Sequence, residues 1–64
     1  MKSIQYYDCI NGYDVYILGK SYCRELKLPY PLYAAFLEGD EPEPYQAECT
    51  MSDLDNLLEW CEEN

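Results

Sequence analysis

The sequence predicts a small single α+β domain: an antiparallel β-hairpin, a third strand, and a C-terminal helix packed on the sheet. Three observations carry this. Asn11-Gly12 lies between two strand-like runs, S-I-Q-Y-Y-D-C-I and Y-D-V-Y-I-L. Leu54, Leu57, Leu58 and Cys61 recur at i, i+3, i+4 and i+7, one stripe of a helix. A chain of 64 residues has room for one core, built from eight Leu, three Ile, one Val and a large supply of rings, eight Tyr with one Phe and one Trp.

The hairpin is assigned to residues 3–18, because Asn-Gly suits the two positive-φ positions of a type I′ turn. That turn pairs Ile10 with Tyr13, Asp8 with Val15 and Tyr6 with Ile17. Ile4, Tyr6, Ile10, Tyr13, Val15 and Ile17 then share the core face, with Asp8 a misfit. Gln5, Tyr7, Cys9, Asp14, Tyr16 and Leu18 share the outward face.

Residues 19–28 fit either a short helix capped by Ser21, near 21–27, or a further strand. The helix is preferred because the run ends before Pro29. After Pro29-Tyr30-Pro31, residues 31–38 read as a second short helix. Pro31 stands at its first turn, Gly39 lies just past its end, and Leu32, Ala35 and Phe36 share one face. Residues 39–44, G-D-E-P-E-P, form an acidic loop held extended by its prolines. Tyr45, Ala47, Cys49 and Met51 alternate with polar residues, so 45–51 reads as a half-buried strand. The last helix covers 53–62, with Ser52 as N-cap and Asp55 completing a capping-box-like pair.

Charge is segregated along the chain. Residues 38–64 carry ten carboxylates and no base, whereas residues 1–37 carry three carboxylates against Lys2, Lys20, Arg24 and Lys27. The net charge of −9 excludes nucleic acid as a direct ligand, since phosphates require Lys and Arg, and it argues against an anionic membrane surface. Basic protein surfaces are the partners it favours. No stretch is apolar for long enough to span a bilayer, and M-K-S-I-Q-Y-Y-D lacks the apolar core of a signal peptide, which points to the cytoplasm.

Enzyme chemistry is not expected. There is no histidine, nucleophile motif, phosphate loop or calcium loop, and nothing calls for a cofactor. Cys9, Cys23, Cys49 and Cys61 lack zinc-finger spacing. They read as reduced thiols acting as small hydrophobes, with a bound metal or two disulfides as the alternatives.

The candidate site is a docking surface. Asp55, Glu59, Glu62 and Glu63 form a stripe on the last helix, turned away from its leucines. Asp40, Glu41 and Glu43 in the loop, with Glu48 beyond it, extend the surface. Three of the helical carboxylates fall near the helix C-terminus, where the macrodipole disfavours anions, so stability alone would not select them. Tyr7 and Tyr16 on the outward hairpin face are further candidates. Trp60 flanks the apolar stripe, either as a lid on the core or as an interface anchor.

The dense run Glu38-Gly39-Asp40-Glu41-Pro42-Glu43 followed by an acidic terminal helix resembles the small phage-encoded inhibitors of bacterial defence, anti-CRISPR proteins and other DNA mimics. The resemblance covers the second part of the chain and is one of class, carried by no diagnostic motif. It implies stoichiometric inhibition in the cytoplasm of a bacterial host, by a monomer or weak homodimer that occludes the DNA-binding site of a Cas effector subunit. The alternative is a small regulatory module that binds its partner through the tyrosine-rich face.

Overall fold

The computed structural model describes residues 4–64; the Pro44 side chain is outside that description, as are Lys2 and the Ser3 start expected for the hairpin. The chain order is β1 (Ile4–Ile10), β2 (Tyr13–Leu18), α1 (Lys20–Glu25), β3 (Leu32–Leu37), a 3-10 turn (Pro44–Gln46), β4 (Cys49–Met51) and α2 (Leu54–Glu63). The strands form one antiparallel sheet in the order β1-β2-β3-β4, with α2 packed on it, the α+β architecture the sequence predicts.

Asn11 (φ 52°) and Gly12 (φ 85°) occupy the left-handed region, as the hairpin turn requires. Ile10 pairs with Tyr13 and Asp8 with Val15, as expected. Beyond Asp8 the register shifts at a bulge, and Tyr6 pairs with Tyr16 instead of Ile17. Tyr7 is the extra residue. The shift moves Ile4 and Tyr6 to the opposite sheet face from Ile10, Tyr13, Val15 and Ile17, so the predicted single core face is split.

Both faces of the sheet are covered, which the hairpin pattern alone does not reveal. On one face, Leu18, Leu32, Ala34 and Phe36 pack with Tyr22 and Cys23 of α1, and Ile4, Tyr16, Leu26, Leu28 and Ala47 close around them. On the other, Val15 and Ala35 pack with Leu57 and Cys61 of α2, joined by Ile10, Tyr13, Tyr33, Cys49, Met51, Leu54, Leu58 and Trp60. Leu18, expected to point outward, is therefore buried.

Residues 31–38 form a strand, not the expected helix. L-Y-A-A-F-L is an unbroken apolar run of six, and β3 lies between β2 and β4 with both sides buried. Such a run has no periodicity to separate strand from helix; its shortness between Pro31 and Gly39 is what favours strand. Leu32, Ala34 and Phe36 face α1, whereas Tyr33 and Ala35 face α2. Ala35 lets α2 approach the sheet closely, and Ala34 is buried under the α1-side cluster.

Three further expectations need correction. The strand assigned to 45–51 contracts to Cys49–Met51, because Pro44–Gln46 turns as a 3-10 helix and leaves Tyr45 exposed. Helix α1 is capped by Gly19, without a side-chain cap, so Ser21 lies inside the helix. It ends with Lys27 at φ 58°, Lys27 N–H donating to Arg24 O and Leu28 N–H to Cys23 O, the paired bonds of a Schellman cap. In α2 the N-cap is Asp53, not Ser52. Its Oδ1 accepts the Asn56 N–H at 3.1 Å, which leaves Asp55 in the first turn and outside any capping box.

Candidate functional site

The topology gathers carboxylates at the hairpin end of the molecule. Strand β3 returns alongside β2 to that end, where Glu38 N–H donates to Gly12 O at 3.0 Å and Gly39 N–H to Asp14 Oδ2 at 3.3 Å. Helix α2 finishes there too: the Asn11 side-chain amide donates to Cys61 O at 3.0 Å, and Tyr13 Oη–H to Asn64 O at 3.4 Å. Glu38, Gly39 and Asp40 at the end of β3, Asp14 on β2, and Glu62 and Glu63 on α2 thus converge on the hairpin tip. The described bases, Lys20, Arg24 and Lys27, stand on and just after α1, which leaves β2 and returns to β3 at the other end of those strands.

Asp55, Glu59, Glu62 and Glu63 are all exposed. Their positions on a helix whose Leu57 and Cys61 are buried place Asp55 and Glu62 on one flank and Glu59 and Glu63 on the crest. Trp60 falls on the opposite flank. It is half-buried, its ring tilted at 58° onto Tyr13 with centroids 5.0 Å apart, which makes it a cover for the α2-side core.

Asp40, Glu41 and Glu48 are exposed and Glu43 is half-buried. The β3–β4 connection turns Ala47 onto the α1-side cluster, so this part of the loop belongs to the layer opposite α2. The ends of the two acidic groups, Glu38 and Asp40 after β3 and Glu62 and Glu63 on α2, approach each other at the hairpin tip.

The tyrosines redistribute. Tyr7 is exposed (45%), as expected, but Tyr16 is half-buried and Tyr6, assigned to the core, is 51% exposed. The bulge is the cause. Tyr6 and Tyr16 meet edge-on at 5.5 Å, and Tyr16 meets buried Phe36 edge-on at 5.6 Å.

Of the thiols, Cys23 and Cys61 are buried, Cys49 is half-buried and Cys9 is exposed, and all four are free. Burial pushes Cys23, Cys49 and Cys61 up, with Cys49 and Glu62 adding to the effect at Cys61. Partial desolvation, then the Glu38 and Asp14 carboxylates, push Cys9 up. No three His, Cys, Asp or Glu side chains among the described residues are grouped to hold a metal, and the described residues enclose no pocket. Among the described residues no helix is long and apolar enough to cross a membrane.

Asp14 and Tyr6 are the members of this surface that sequence reasoning missed, and Glu38 was read only as part of the acidic run, away from the hairpin. Reading β3 as a helix hid the return of Glu38 to the hairpin tip. The usable signal was the six-residue apolar run itself.

No protein-family model, curated protein or solved structure matches the chain.

Proposed function

We propose that this protein is a stoichiometric inhibitor that docks its carboxylates into a basic, nucleic-acid-binding groove of another protein. A CRISPR effector subunit in a bacterial cytoplasm is the target favoured by the resemblance of its acidic segment to small phage-encoded inhibitors. The supporting observation is the convergence of Glu62 and Glu63 with Glu38 and Asp40 at the hairpin tip. Anions on the last turn of a helix oppose its macrodipole, and further anions beside them add repulsion. A partner's Lys and Arg side chains would offset both through charge-assisted pairs.

Capture of purified effector complexes by the tagged protein, washed at rising salt and with competing DNA, tests this. The expected result is capture that is lost at high salt and displaced by DNA. Capture indifferent to both contradicts charge mimicry.

A second reading rests on a different observation, the exposure of Tyr6 and Tyr7 on the sheet-edge strand β1. In that case the protein is a regulatory module. Tyr6→Ala or Tyr7→Ala then weakens capture more than loss of any carboxylate does, and salt has little effect.

A further inference from the structure

On the α1 side of the sheet, the hairpin end leaves Tyr6 and Cys9 exposed and carries a specific arrangement. Rings run outward from the core in sequence: Phe36 fully buried, Tyr16 half-buried, Tyr6 exposed, each edge-on to the next. Asp14 lies two residues before Tyr16 and pairs with Cys9 on one side and Phe36 on the other, so all five residues share that face. Glu38 follows Phe36 by two and joins the same end. Proximity leaves electrostatic traces: Asp14, Cys9 and Asp8 raise the Tyr6 phenol after partial desolvation, and Glu38 and Asp14 raise Cys9. Asp14 is held in place by the Gly39 N–H on its Oδ2.

We propose that this patch receives an arginine side chain of the partner protein, its guanidinium stacked on the Tyr6 ring and bonded to the Asp14 and Glu38 carboxylates. A planar, weakly hydrated cation suits a ring face beside carboxylates, whereas an ammonium satisfies the charge but not the stack. The edge of β1 is blunted against the alternative of strand addition. It is bulged at Tyr7, and the Cys9 N–H is taken by Asp8 Oδ1 at 2.8 Å. A partner therefore meets the face and not the edge. The inference deepens the docking reading and rests on it, and it names the side chain that the partner presents.

The test is a nitrogen-15 NMR titration of the full chain at about 0.15 M ionic strength. The probes are acetyl-Gly-Ser-Arg-Ser-Gly-amide and its lysine and citrulline counterparts. The arginine peptide is expected to shift the Tyr6, Cys9, Asp14 and Glu38 amides saturably. Lysine should bind about threefold more weakly or less, and citrulline should leave the spectrum unchanged. Tyr6→Phe should retain binding. Tyr6→Leu and Asp14→Asn should each weaken it by about threefold or more, with α2 amides unmoved as the control for folding. Equal arginine and lysine binding, or shifts spread equally over Asp55 and Glu59, overturns the proposal. Salt-sensitive effector capture alongside a silent titration overturns this inference alone. A positive titration with salt-indifferent capture overturns the docking reading, and with it the patch's role in docking, while showing that the patch itself binds arginine.

Discussion

The side-chain amide of Asn11, at the tip of the β1–β2 hairpin, donates to the carbonyl of Cys61 in the last turn of α2 at 3.0 Å. One residue thereby serves two elements. Its left-handed backbone makes the turn, and its side chain satisfies a helix carbonyl that has no partner within the helix.

Replacing Asn11 separates the two roles. Asn11→Gly keeps the turn and loses the bond, with an expected cost of about 1 kcal/mol. Asn11→Ala loses the bond and adds left-handed strain, for about 2–3 kcal/mol in total. Urea denaturation monitored by Trp60 fluorescence measures both, and equal costs would contradict the division.

The N-cap of α2 offers a sharper contrast. Asp53→Ala removes the acceptor for the Asn56 N–H and should cost about 1 kcal/mol. Ser52→Ala, one residue earlier, should change the denaturation midpoint little. The reverse ranking would return the cap to Ser52.

These two predictions mark where sequence reasoning holds and where it stops. Asn-Gly announces the hairpin because few residues tolerate two positive φ values in succession, and Leu54, Leu57, Leu58 and Cys61 announce α2 because burial demands that spacing. Ser52 and Asp53 are equally good caps, so only backbone geometry selects between them. The Tyr7 bulge has no local signature. Ile4 moving under the α1-side cluster accompanies it, and that is a tertiary effect. Leu32–Leu37 misleads because a strand buried on both sides shows no alternation, and Ala34-Ala35 fits a helix as readily. Of the site, the carboxylates themselves were legible. Their gathering at the hairpin tip was not, since it follows from β3 running back to that end.

Alkaline pH should destabilise the fold. Folding raises the Cys23, Cys49 and Cys61 thiols above the ordinary 9.0, so each holds its proton longer in the folded chain than in the unfolded one. Their contribution is fully present below the unfolded value and is lost as pH rises through the folded values. Thermal midpoints should fall from about pH 8.5 upward, each thiol contributing at most about 1.4 kcal/mol per pH unit. Cys61→Ala should lower the midpoint at neutral pH but flatten its decline in alkali. An unchanged slope would contradict the assignment.

The central claim is that the carboxylates at the hairpin tip serve a partner at the expense of the fold. Two readouts on one variant test it most directly: the thermal midpoint and effector capture by Glu62→Lys/Glu63→Lys. Cations at a helix C-terminus gain about 0.3–1 kcal/mol each, so the midpoint should rise while capture is lost. A variant that melts lower, or that is still captured at the original strength, would contradict the claim.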